Sequence, residues 1–309
     1  MTTRDAVLVI ARAAGVPPGE VGSAGMKDKH AVTTQWLSLP AKRARAVDGW
    51  VLPDGLSVLE VTRHTNKLRT GHLQGNTFRV RLTGVAPDAG VRAAAIEARL
   101  RERGLPNYFG VQRFGRDGGN LTRALDWLTA EAGGRRTRVP PFERKLFASV
   151  VQAEVFNRYV TARVERGMAQ PLLGEVVRLA GTGSLFAVDD VDREAPRWKS
   201  NDIHPTGPIV GPKMRKAYSE ALALELKSVE SVGLDEGVLR ELGRHADGTR
   251  RDVIMALPDL RAEIERNGNG TDGSDNATVL LLTLSLPAGS YATEVVREFS
   301  REPFFRYSG

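Results

Sequence analysis

The chain contains no cysteine. That excludes disulfides, zinc–thiolate sites, iron–sulfur clusters and a thiol nucleophile. Histidine is scarce: five in 309 residues, His30, His64, His72, His204 and His245. None stands in an HxxxH or HExxH pair, so no histidine metal site is expected. Aromatic residues make up only 6%. No apolar run approaches the ~18–20 residues that a membrane-spanning helix needs. The apolar stretch Ala6–Ile10 behind Arg4 is too short for a secretory signal, so the cytoplasm is the expected compartment and no membrane partner is expected.

What the chain has in excess is positive charge. Lys and Arg number 44 against 37 Asp and Glu, a formal net charge of +7. A basic surface favours polyanions, nucleic acid first and acidic membranes second. The 41% hydrophobic and 26% charged content is that of an ordinary globular protein. The length accommodates one large domain or two ordinary ones.

Periodicity and punctuation predict a mixed α and β chain. Residues 3–14 read as a helix with Thr3 as N-cap, and Thr33–Leu39 and Leu56–Thr62 read as strands. Asn76–Leu82 alternates strictly, with Phe78, Val80 and Leu82 on one face and Thr77, Arg79 and Arg81 on the other. Gly90–Arg103 reads as a helix closed by Gly104, and a second helix capped by Asn120 ends at Gly133–Gly134. Residues 135–146 are basic and proline-containing and read as a linker. Leu146 to about Arg166 reads as a long amphipathic helix, and 177–213 as irregular. Helices are expected at about 217–228 and 235–246, a flexible loop at Asn267–Asn276, a very apolar strand at Ala277–Leu286 and a helix from Ser290, as its cap, to Phe299. The pattern suggests an α+β core interrupted by a mostly helical middle section.

Three stretches carry chemistry. The first is Gly25-Met26-Lys27-Asp28-Lys29-His30, running into the alternating segment Ala31–Trp36. A lone acid among cations is held ionised, which suits Asp28 to act as nucleophile or base. Taken alone, Lys-Asp-Lys reads first as a solvated turn. The second is the span Val61–Pro87, where Arg63, Lys67, Arg69, Arg79 and Arg81 stand with two histidines and no acid. This is either a phosphate-contacting surface or a solvated strand face. The third is Leu105–Gly115, which places Asn107, Tyr108, Phe109, Arg113 and Phe114 in a chain bent at Pro106 and Gly110. A ring for stacking and an amide for a base edge are the means by which flipped RNA bases are read. Core filling is the alternative for two of the three rings.

In four ordered blocks the chain resembles the TruD family of tRNA pseudouridine synthases. The blocks are Ala24–Trp36; Arg63-His64, Lys67-Leu68-Arg69, Gly71 and Leu73–Phe78; Gly104–Gly115 with Asn120-Leu121; and Leu286–Thr293 with Val296-Arg297-Glu298. Leu179–Ser184 agrees more weakly. The resemblance implies an α+β pseudouridine-synthase catalytic fold, a mixed or antiparallel sheet with flanking helices, in about 1–133 and 256–309. It also implies a largely helical α+β insertion at about 134–255. It implies isomerisation of uridine to pseudouridine in tRNA, at position 13 for the bacterial type, by a monomer with no cofactor and no metal. Asp28 falls on the family's essential aspartate, adding to the sugar C1′ or taking a proton from C2′. Arg297 falls on its basic partner and Phe109 on the ring that stacks on the uracil. Asn107 falls on the amide that orients the base or its loop, and Lys27 on a phosphate or loop contact. Tyr291 stands where relatives often carry Phe and lines the pocket.

The chain departs from the family at its start. Relatives begin several tens of residues earlier, with an N-P-E-D-F-x-V-x-E type segment that supplies a core strand. A start codon placed too late, a trimmed chain or a natural short form each account for this, the first two being favoured because every later motif is intact. A non-catalytic tRNA-binding or RNA-folding module is the alternative function if the short form is natural.

Overall fold

The structure is a computed structural model that describes residues 1–69, 71–115, 118–266 and 278–300, without the Arg266 side chain. The expected loop at 267–276 lies outside the described residues. The chain forms two compact units, Met1–Asn76 and Thr77–Gly309.

The first unit begins with helix α1 (Thr3–Ala14). Its N-cap is Thr2, one residue before the expected Thr3. Thr2 and Asp5 exchange hydrogen bonds in a capping box, and Gly15 closes the helix in the left-handed conformation at φ 69°. The hydrogen bonds to Thr2 hold the Asp5 carboxyl below its usual range. Ala11, Ala14, Val16 and Val21 form a small core with Leu37, Leu39 and Trp50 packed on it. Strands β1 (Gly22–Ser23) and β2 (Leu37–Ser38) pair antiparallel. Gly22 is glycine for a steric reason: a Cβ there would collide with the Leu68 carbonyl and the Ser38 hydroxyl. The strands expected over 33–39 and 56–62 shrink to Leu37–Ser38 and to nothing regular. Strand-like composition supplies no hydrogen-bonding partner, and residues 56–62 pair with no strand among the described residues.

β3 (Gly75–Leu82), which belongs to the second unit from Thr77 onward, forms a sheet with β10 (Arg261–Arg266) and β11 (Thr278–Pro287) in the order β10-β11-β3. The central strand is the apolar one: Val279–Leu282, Leu284 and Leu286 are buried. Helix α2 (Ala89–Arg103) packs on β10 and against α8 (Ala292–Ser300). Gly104 ends α2 as expected.

The middle of the chain builds a second layered region. Helix α3 (Gly119–Ala132) has Gly118 at its N-cap, not Asn120, whose amide packs on Gly115. Helix α4 spans Pro141–Arg166, so it begins inside the stretch that reads as a linker. Proline at the first helical position costs no hydrogen bond and presets φ. Helices α6 (Ser219–Glu230) and α7 (Glu236–Gly243) fall close to their expected positions and pack on α4 and α3 respectively.

The stretch 177–213 is not irregular. It holds much of a four-stranded antiparallel sheet, β6 (Leu185–Ala187), β5 (Val176–Leu179), β7 (Ile203–Ile209) and β8 (Thr249–Asp252), in that order, together with helix α5 (Val191–Lys199). Strand β7 reads IHPTGPI, a composition hostile to strands, and it is paired on both sides. Pairing and burial outweigh local propensity here. A Cβ on Gly207 would sit 2.8 Å from Tyr159 Cδ1 and 2.9 Å from Phe156 Cε2, so glycine lets α4 approach the strand. Behind it lies a fully buried ion pair, Arg163 Nε to Glu175 Oε1 at 2.8 Å. Finally β4 (Leu105–Pro106) pairs with β9 (Ile254–Met255), which brings residues 107–109 beside 251–253.

Candidate active site

The bent segment after β4 anchors the site. The Asn107 N–H donates to the Val253 carbonyl at 2.8 Å. Its side-chain amide belongs to a residue only 6% exposed and is bonded at both ends: Nδ2 donates to the Asp252 carbonyl at 2.9 Å, and Oδ1 accepts from Arg251 at 2.6 Å. The Ser290 hydroxyl reaches the same oxygen at 3.4 Å. Both backbone polar groups of Phe109 are bonded to Asn157 of α4, N–H to Oδ1 at 2.8 Å and carbonyl from Nδ2 at 3.0 Å. The turn thus has its shape set by two asparagines, one of them its own.

Around the half-buried Phe109 ring gather Arg251, 4.1 Å from its centre, and Arg113 at 5.2 Å. Phe156 and Tyr291 meet it edge-on at 5.5 and 6.1 Å. Arg251 also donates to the Asn107 carbonyl at 3.2 Å and to the Gly289 carbonyl at 3.1 Å. It therefore ties the 107–109 turn to the turn before α8. Burial, reinforced by the like charge of Arg113, lowers its pKa to about 10. Beside these groups opens a cavity of about 380 Å³, bordered by Asn107, Phe109, Arg113, Arg251 and Ser290 among others.

Helix α8 joins the same place. Gly110 packs on Tyr291, Thr293 and Glu294; a Cβ there would sit 3.1 Å from Glu294 Oε1. Glu294 is buried and accepts from Arg297 at 3.2 Å. Burial raises the Glu294 carboxyl, and the Arg297 cation offsets this only in part.

Of the expected site residues, the second unit brings Asn107, Phe109 and Tyr291 into one cluster and seats Arg297 on the helix against it. Arg79 and Arg81 lie apart from that cluster, on β3. Both pair with Glu265 of β10, at 3.0 and 3.4 Å, so the acid missing from their stretch of sequence comes from another strand. In the first unit, Asp28 is exposed on the connection between β1 and β2. Lys27 anchors that loop: its N–H donates to Thr3 Oγ1 at 2.8 Å and its ammonium to the Asn76 side chain. Lys67 donates to the Gly19 carbonyl at 2.7 Å, and Arg63 and Arg69 are exposed. Arg251 is the residue that sequence reasoning missed. Its one signal is the run Arg250-Arg251-Asp252, which lacks a motif of its own.

Among the described residues no group of three or more His, Cys, Asp or Glu could hold a metal ion, and no helix is long and apolar enough to cross a membrane.

A family model for tRNA pseudouridine synthase D (TruD) matches residues 1–124 and 129–299. The chain belongs to the TruD family. It is 42% identical over 303 residues to a tRNA pseudouridine synthase D of Anaeromyxobacter sp. (strain Fw109-5), covering 97% of this chain and 82% of that protein. It is 37% identical over 299 residues to one from Thermus thermophilus, covering 96% and 78%. A crystal structure of a Methanosarcina mazei protein assigned to TruD superposes with a TM-score of 0.72 at 20% identity, covering 97% of this chain and 85% of that one. That likeness bears out the α+β fold with antiparallel sheets and flanking helices. Membership in the TruD family makes the chain an isomerase: pseudouridine has the atoms of uridine, so the reaction moves a bond and adds nothing.

Proposed function

We propose that the chain isomerises uridine to pseudouridine in tRNA, at position 13 of the D-arm, through Asp28. The observation that carries this reading is the match to TruD relatives over nearly the whole chain, with the Asp28 block, the Asn107–Phe109 turn and the α8 block all inside it. The N1–C1′ bond of the uridine breaks, the base turns, and C5 bonds to C1′; the C5 proton leaves and N1 gains one. No net oxidation occurs and no external nucleophile is consumed. Asp28 either adds to C1′ and later departs, or takes the C2′ proton and returns it. An anionic carboxylate in a site closed to water needs a cation, the role we assign to Arg297.

Phe109 offers the ring on which a flipped base rests, and Tyr291 lines the pocket beside it. Asn107 holds the turn that carries that ring. Flipping the base costs a few kcal/mol, which phosphate contacts by Lys27, Arg63, Lys67, Arg69, Arg79 and Arg81 offset. The catalytic part is 1–133 with 256–309, and the insertion 134–255 lends it Arg251.

The test is to map pseudouridine by nucleotide in unmodified tRNA, with the protein and its Asp28→Asn variant. One D-arm product that the variant fails to make is the expected result. tRNA bound equally by both, with product from neither, would replace the enzyme with a non-catalytic tRNA-binding module.

A further inference from the structure

Most of the arginines around the site and on the neighbouring sheet have a carboxylate. Arg178 has Asp252 at 2.7 Å, Arg250 has Glu225 at 2.7 Å, Arg297 has Glu294, and Arg79 and Arg81 share Glu265. Arg113 and Arg251 form no ion pair with any described residue. Arg251 bonds only to neutral carbonyl and amide oxygens. Arg113 Nε is buried without a hydrogen-bond partner among the described residues. Both cations lie against the same phenyl ring, and the Arg113 charge disfavours that of Arg251.

Burying charge without a counter-charge is costly, and an aromatic face compensates only in part. An anion between the two guanidinium groups would cancel their repulsion and use the idle Nε–H. The planar, forked donors of arginine match phosphate oxygens two at a time. The cavity they border, about 380 Å³, is of ligand size rather than ion size. Its wall adds the hydroxyls of Ser149, Thr249 and Ser290, and the Asp252 carboxylate, whose charge is taken up by Arg178 at 2.7 Å.

We infer that this cavity binds a phosphodiester of the RNA strand, held between Arg113 and Arg251 at the edge of the Phe109 ring. The inference rests on the reading of the chain as an RNA-modifying enzyme. It puts a phosphate contact at arginines that form no ion pair with a described residue, in addition to the exposed basic stretch.

The experiment measures the affinity of an unmodified tRNA transcript as a function of salt. Removing one phosphate interaction should lower the slope of log affinity against log salt by about 0.7–0.9. Arg113→Gln is expected to show that change with about tenfold weaker binding, and Arg113→Lys to restore most of the slope. Arg251→Lys, which keeps the charge, is expected to keep the slope and lose the geometry. Arg123→Gln on α3, whose own partner is Glu143, serves as the unaffected control. If Arg113→Gln and Arg251→Gln both leave affinity and slope unchanged, the phosphate site is wrong. Pseudouridine is assayed on the same preparations. Product from the parent protein with unchanged slopes overturns the phosphate site alone; altered slopes without product from the parent overturn the isomerase reading alone.

Discussion

Arg251 lies 4.1 Å over the Phe109 ring, although the two stand far apart in the chain. The same guanidinium holds the Asn107 amide at 2.6 Å and the Gly289 carbonyl at 3.1 Å. One half-buried side chain thereby fixes the ring, the turn that carries it and the entry to α8.

Removing that tie should loosen all three. Arg251→Ala is expected to destabilise the fold by about 1–3 kcal/mol, since buried acceptors lose their donor. Urea denaturation measures it. An unchanged unfolding midpoint would show that the turn holds itself through Asn157.

Gly207 tests the packing of α4 on β7. Gly207→Ala places a methyl group within 3 Å of two aromatic rings, and overpacking of this kind costs about 1–3 kcal/mol. The same substitution at Gly55, where a Cβ meets nothing within 4 Å, provides the comparison, its only strain being a φ of +79°. Gly207 itself has no positive φ, so thermal unfolding reads the Gly207→Ala loss as the cost of the clash alone, beside the cost of backbone strain alone at Gly55.

The Arg163–Glu175 pair is fully buried, with two side-chain contacts of 2.8 and 3.0 Å and a further bond from the Leu172 N–H to Glu175 at 2.9 Å. Glu175→Gln leaves a buried cation without its anion and should cost about 3–5 kcal/mol. Arg163→Met combined with Glu175→Gln should cost less than the two single changes added together. A double-mutant cycle in urea reads the difference; strict additivity would show that the two side chains do not act as a pair.

Glu294 makes stability depend on pH in a definite direction. Burial raises its folded pKa above the unfolded 4.5, so between those two values the folded state binds more protons than the unfolded one. Stability should therefore fall as pH rises through that window. Glu294→Gln removes the titrating group and should flatten this part of the profile. The check is the urea midpoint of both proteins from about pH 4 upward; parallel profiles would rule the contribution out.

Much of this protein was legible in its residues. The alternation in Asn76–Leu82 sufficed for β3, and Gly15 and Gly104 mark helix ends through local geometry alone. The blocks around Asp28, Asn107 and Tyr291 sufficed for the family. These are short-range features: a cap, a period or a motif is complete within a few residues.

What required the tertiary structure is long-range. β7 is a strand because two neighbours accept its backbone, against the preference of its prolines and glycine. Residues 56–62 have the apolar, β-branched composition of a strand, yet pair with none among the described residues. Glu265 neutralises Arg79 and Arg81 from a strand far along the chain. Arg251 reaches Phe109 only because β4 pairs with β9. Motif and period specify what a side chain can do; which charges meet, and which stay uncompensated, depends on pairings that close very long loops and leave no local mark.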